Sequence, residues 1–190
     1  DYDPSGKFPE ENARVGQGFS TDIFAQAATE FLQQYSGQDP FCLYVAFTAP
    51  HDPRTPPGEF AYNPNDLELP KNFLVQHPFD NGEMDVRDEL LADYPRTEGA
   101  IKQHLADYYG MISHLDSAIG KILETLDETG FSKNTLVVYT ADHGLALGQH
   151  GLLGKQNLYE HSIKVPFIVR GPQAPTNVRS DAFCYLYDLA

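Results

Sequence analysis

Positive charge is scarce in this sequence. Its 190 residues hold 13 Lys and Arg against 27 Asp and Glu, a formal net charge of −14. A protein that tracks phosphates along a nucleic acid is usually basic, so no nucleic-acid partner is expected. Small anionic ligands stay open, because a metal ion and one lysine can reverse the sign inside a pocket. The deficit weighs mildly against a highly charged anionic polymer, which an acidic surface repels at long range. Cysteine is scarce too. Cys42 and Cys184 each lie in an apolar, strand-like run and are expected to be buried free thiols. One disulfide between them is the alternative, and two cysteines make no disulfide framework. Long apolar runs are missing. Phe41 to Phe47 is the longest, far short of the roughly 20 residues of a membrane-spanning helix, so no span is expected. No low-complexity tract or internal repeat is visible. With 41% hydrophobic residues, the length suits one globular domain with a sizeable core. No signal peptide opens the chain; Asp1 to Gly6 resemble the middle of a loop.

Residues 1–19 carry Pro, Gly and charge and read as loop. Ser20 or Thr21 is placed to cap a helix in which Phe24, Ala27, Ala28, Phe31, Leu32 and Tyr35 recur at helical spacing. Gly37 and Pro40 end it. Residues 41–47 are apolar and rich in β-formers, the pattern of a buried parallel strand. Residues 48–97 hold most of the prolines and little periodicity; so long an irregular stretch in a compact domain is usually functional. Residues 98–129 return to helix through a stripe that includes Ile101, Leu105, Tyr108, Ile112, Leu115, Ile119 and Leu126, and Gly130 stops it. Residues 135–140 and 165–169 read as further buried strands. The expected fold class is α/β, a mainly parallel sheet of 41–47, 135–140 and 165–169 flanked by helices, with ligands at the carboxyl ends of strands.

Two of those strand ends carry polar clusters: Pro50-His51-Asp52-Pro53-Arg54, and Asp142-His143-Gly144 followed by His150, Gly154, Lys155 and Tyr159-Glu160. A carboxylate beside an imidazole suits a divalent cation. Oxygen ligands alone favour calcium or magnesium, and an imidazole nitrogen also tolerates manganese or zinc. Lys155 is a compact point charge on a long stem, suited to a tetrahedral oxyanion. Plainer readings stand beside these: a turn in which Asp142 caps a helix, a rigid turn at His51, a solvated charge at Lys155.

Several motifs together, in order, resemble the sulfatase family of the alkaline-phosphatase-like superfamily. They are Tyr108 to Ile112 with His114 to Asp116, Asn134 to Gly144, Gly148-Gln149-His150-Gly151, Gly154-Lys155, Tyr159-Glu160, Val165 to Ile168, and the element Phe41 to Pro53. The resemblance runs from about Gly18 to the C-terminus and is weakest over 56–97. It implies that residues 1–190 are the latter part of one catalytic domain, incomplete at both ends, in an enzyme that hydrolyses sulfuric esters. Asp142 and His143 would ligate a divalent metal, calcium foremost, with manganese or magnesium as alternatives. Lys155 would contact the sulfate group. His51 would contact the sulfate or the bridging oxygen and assist the leaving group. Arg54, with Asp52, would read the rest of the substrate. His150 is left between a structural and a metal-supporting role.

The family's nucleophile is a Cys or Ser in a Cys-x-Pro-x-Arg or Cys-x-Ala-x-Arg motif, converted to formylglycine. Neither Cys42-Leu43-Tyr44-Val45-Ala46 nor Cys184-Tyr185-Leu186-Tyr187-Asp188 fits it. An early Asp-Asp metal pair and a lysine–histidine pair are missing as well. The chain by itself is therefore expected to turn over little or no ester. The implied partner is a sulfated small molecule or sugar, and the implied location periplasmic, secreted or lysosomal. An uncovered sheet edge would favour self-association. Other functions remain open: a phosphonate monoester or phosphodiester hydrolase of the same superfamily; a non-catalytic binding or structural module, in which Asp142, His143, Lys155 and His51 would not converge; and a naturally short homologue acting as a non-catalytic anion-binding module that holds an anion without cleaving it.

Overall fold

The computed structural model describes residues 16–189. Most of the loop expected over 1–19, and the terminal Ala190, lie outside them. Two helices form the frame. Helix α1 is Ser20–Gln34 and helix α2 is Glu98–Glu128, close to the bounds that periodicity gave. Thr97 caps α2, its side chain accepting from the Ala100 N–H at 3.2 Å. Capping of α1 by Ser20 or Thr21 is not seen. Phe19 is the N-cap residue and makes no side-chain cap bond. The Ser20 hydroxyl instead meets the Thr48 hydroxyl at 3.0 Å and ties the helix to the next segment. α1 lies against α2 with Ala25, Ala28 and Leu32 buried. Asp22 accepts a hydrogen bond from His114 of α2 at 3.0 Å.

The strands differ from expectation. β1 (Val137–Thr140) and β2 (Phe167–Arg170) form one two-stranded ladder, and they pair antiparallel, Val137 opposite Arg170 and Thr140 opposite Phe167. A parallel pair needs a crossover, normally a long helix. The connection here holds only the single-turn helix α3 (Glu160–Ile163). The intervening chain returns to the same end of the ladder, so the second strand runs back along the first. Residues 41–47 carry no strand pairing. They alternate between half-buried and exposed positions, with Phe41 packed on Tyr35 and Phe47 on Phe24. Cys42 faces outward from that run, and Cys184 is exposed as well, so the expectation of buried thiols fails. Its premise was that both runs are covered on two sides. In the described structure each has at most one packed side, and every residue of β2 is exposed.

The core lies elsewhere. Ile101 and Leu105 of α2 pack with Leu147 and Leu153, joined by Leu67, Phe73 and Leu91 from the long irregular stretch. That stretch is ordered through three short 3-10 turns and through links to residues 146–154. Asn72 O accepts the His150 N–H at 2.9 Å, and His77 Nδ1 donates to His150 O at 2.8 Å. At its polar edge sits Glu89, which is buried. Its carboxylate accepts the backbone N–H groups of Leu153 (2.9 Å to Oε2) and Gly154 (2.7 Å to Oε1). It pairs with the buried guanidinium of Arg96 at 2.6 Å and accepts from the Tyr94 hydroxyl at 3.1 Å. Burial, then the Glu89 charge, push the Tyr94 phenol up to about 12, so it stays protonated and donates. Arg96 in turn donates to Gly151 O at 3.4 Å and to Ala92 O. Gly151 fits this join for two reasons. Its φ is +78°, and a Cβ there would lie 2.5 Å from the backbone of Gln76 and His77.

Two measurements check this frame. Glu89→Ala leaves a buried guanidinium and two buried amides without their partner. It should lower unfolding stability by about 3–5 kcal/mol, read by urea denaturation. A loss below about 1 kcal/mol, the level of a surface pair, would contradict the buried anchor. The uncovered apolar residues of the ladder and its surroundings, Leu136, Ile168 and Phe183 among them, should make the chain bind a hydrophobic dye and self-associate. Sedimentation as a monomer at high concentration, with no dye binding, would contradict that.

Candidate active site

His51 lies on the turn after 41–47; its backbone N–H donates to Thr48 O at 2.9 Å. Its Nδ1 lies 2.9 Å from the Asp52 carbonyl oxygen and 3.3 Å from the Asp52 carboxylate. Its Nε2 faces Lys155 Nζ at 3.2 Å and a guanidinium nitrogen of Arg87 at 3.4 Å. Ammonium and guanidinium groups only donate, so Nε2 is the acceptor. The imidazole is therefore neutral with its proton on Nδ1, an assignment made from the hydrogen-bond network.

Lys155 reaches this point because Glu89 holds the two residues before it. Beneath it, Asp88 lies 3.6 Å from Lys155 Nζ and accepts from Gln156 at 3.1 Å. Burial opposes ionisation of Asp88. The hydrogen bond from Gln156, then the charges of Lys155 and Arg87, outweigh it and hold the carboxyl below the usual aspartate value. Arg87 is clamped between two carboxylates, to Asp52 at 2.6 and 3.3 Å and to Asp88 at 3.1 Å. The group is layered. Asp52 and Asp88 keep 11% and 5% of their side-chain surface exposed, whereas Lys155 keeps 21% and Arg87 61%. A ligand approaching from solvent meets cations and an imidazole first.

The remaining expected residues are placed otherwise. Arg54 turns toward α2, with its guanidinium 3.4 Å from His104 Nδ1 and over the Tyr108 ring at 5.9 Å. Burial lowers its pKa, partly offset by the Asp52 charge. It makes no hydrogen bond to His51 or Lys155. Asp142 and His143 follow β1 after Ala141. Asp142 accepts the His143 backbone N–H at 3.0 Å, and its other carboxylate oxygen lies 3.5 Å from His143 Nε2. The Asp142 side chain is 86% exposed. Gly144 locks the turn onto α3: its N–H donates to Ser162 O at 2.8 Å, and a Cβ there would collide with the His161 carbonyl. Carboxylate and imidazole are fitting donor types for a divalent cation. They are only two, and among the described residues no group of three or more His, Cys, Asp or Glu gathers to hold a metal. A hard cation takes about six or more ligands, so this pair by itself does not make a complete metal site. His150 stacks on Tyr159 at 4.1 Å and meets the Asn72 amide at 3.0 Å. Depressions of about 560 and 540 Å³ lie elsewhere, around Leu105 and Ala25, and neither is lined by His51, Lys155, Asp142 or His143. The group at His51 sits outside both.

Arg87, Asp88, Glu89 and Arg96, which build and support the group at His51 and Lys155, are the residues that the sequence did not disclose. The one available signal was the run of charge from Arg87 to Glu89 inside the aperiodic stretch. The family model described as Sulfatase matches residues 2–190. A choline-sulfatase of Rhizobium meliloti (strain 1021) is 34% identical over 161 residues, 80% of this chain and 31% of that protein. The human N-acetylglucosamine-6-sulfatase is 29% identical over 97% of this chain and 34% of its own length. The phosphonate monoester hydrolase of Agrobacterium radiobacter superposes with a TM-score of 0.67 at 28% identity, over 89% of this chain and 37% of that one. No helix of the described residues is long and apolar enough to cross a membrane. The chain spans about a third of the length of the curated relatives it matches, and over that span it belongs to the sulfatase family.

Proposed function

We propose that this chain supplies the anion-binding and leaving-group side of a sulfuric ester hydrolase site. The observation that carries the reading is the meeting of Lys155 Nζ and His51 Nε2 at 3.2 Å from positions 104 residues apart. In this proposal Lys155 binds a sulfate oxygen of the ester. The bound anion replaces Nε2 as acceptor for the cations around it. Nε2, no longer accepting from the cations, takes a proton from solvent to give an imidazolium held at Nδ1 by Asp52. It passes that proton to the bridging oxygen as the nucleophile bonds to sulfur and the sulfur–oxygen bond breaks, so the alcohol leaves neutral and the ring returns to its Nδ1-protonated form. Asp52 holds the ring through Nδ1 and keeps Nε2 turned to the substrate. Asp142 and His143 are proposed as two ligands of a divalent cation, calcium foremost, whose remaining ligands come from outside the described residues. A cation there would stabilise negative charge on the ester oxygens. The nucleophile, a formylglycine in the expectation above, is proposed to lie in the part of the family's catalytic domain that this chain does not span. Substrate and partner follow as a sulfated small molecule or sugar. The likeness to a phosphonate monoester hydrolase favours a second reading, in which the same residues bind a phosphonate monoester.

Leaving-group dependence tests the first reading. In the protein that carries this chain, Lys155→Ala should lower kcat/KM on sulfate esters whatever the alcohol. His51→Ala should lower it by about 10²–10⁴ for a poor leaving group such as an alkyl alcohol, and far less for 4-nitrophenol. Equal losses across leaving groups would remove the proton-donor role. Faster turnover of phosphonate than of sulfate monoesters would favour the second reading.

A further inference from the structure

We infer that Arg87 is a third member of the anion site and binds the same tetrahedral anion as Lys155. The inference rests on the anion-site reading above and adds a residue that periodicity, motif and family resemblance did not single out. Three observations converge. The Arg87 guanidinium and the Lys155 ammonium approach one ring atom, His51 Nε2, at 3.4 and 3.2 Å. Two donors that meet one acceptor atom are close enough together to take two oxygens of one tetrahedral anion. Second, a single buried carboxylate joins them: the two oxygens of Asp88 face Arg87 at 3.1 Å and Lys155 at 3.6 Å. That carboxylate stays ionised, so it holds the two cations side by side against their mutual repulsion. Third, the orientation is asymmetric. The carboxylates lie beneath, and Arg87 keeps 61% of its side chain exposed. Its contacts to Asp52 run from two different nitrogens, at 2.6 and 3.3 Å. That fork sets the guanidinium plane before any ligand arrives, which reduces the ordering cost of binding.

The arrangement gives Arg87 a second consequence. With two carboxylates and two cations the cluster is close to neutral, so the anion is drawn by donor geometry more than by net charge. Lysine at position 87 would keep the charge and lose the fork.

The test titrates the 190-residue chain with inorganic sulfate at constant ionic strength and follows the His51 ring signals by NMR. Wild type, Arg87→Ala, Arg87→Lys and Lys155→Ala are compared. The expected result is saturable binding that shifts the His51 signals, weakened about tenfold or more by Arg87→Ala and by Lys155→Ala, and less by Arg87→Lys. Wild-type affinity in Arg87→Ala with binding lost in Lys155→Ala would overturn the role of Arg87 and leave the anion site standing. Wild-type affinity in both alanine variants, or no shift of His51 in the wild type, would overturn both. If Arg87→Ala gives no folded spectrum, Arg87→Lys decides, and an unchanged sulfate affinity there overturns the inference.

Discussion

The geometry of the site depends on one buried carboxylate. Glu89 is buried, accepts the backbone N–H groups of Leu153 and Gly154, and pairs with the buried Arg96. A carboxylate in that position cannot be left half-satisfied, because an unpaired buried charge costs several kcal/mol. Its bonds therefore fix the backbone just before Lys155, and Arg96 fixes the carbonyl of Gly151 in the same loop. The neighbouring residues Arg87 and Asp88 are carried to the site by the same turn. Three consecutive residues thus divide the work: Glu89 positions the loop, Asp88 seats the lysine, and Arg87 keeps its guanidinium at the surface.

Charge is arranged by depth. The chain is strongly acidic, at −14, and still brings an ammonium, a guanidinium and an imidazole together at one point. The carboxylates that balance these cations lie underneath, where they orient and do not repel. This arrangement lets an acidic protein gather cations locally without a basic surface. The Asp142-His143 turn is built differently: exposed, locked by Gly144 against α3, and joined by no third ligand among the described residues.

The parts legible in the sequence were those written in local periodicity. α1 and α2 were found from their apolar stripes, and β1 from its β-branched run. His51 and Lys155 were visible as functional types after strand-like segments, and the structure brings them together. The illegible parts depend on contacts distant in sequence. Residues 48–97 have no period, because links such as Glu89 to Leu153 and His77 to His150 order them. Arg87 to Glu89 carry no local mark, because nothing in the neighbouring sequence separates a buried Glu89 from an exposed one. The antiparallel β1–β2 pairing and the outward Cys42 were missed because apolar composition was taken to mean cover on both faces. Arg54 lies three residues after His51, but burial against His104 and Tyr108 turns it toward α2.

Hydrogen exchange at the Leu153 and Gly154 amides tests the central claim most directly, because these are the two N–H groups that Glu89 accepts. Both should exchange as slowly as the buried middle of α2 around Ala106 and Gly110. In Glu89→Gln they should become fast while α2 stays protected. Fast exchange of both amides in the wild-type chain would contradict the claim that this carboxylate sets the loop carrying Lys155.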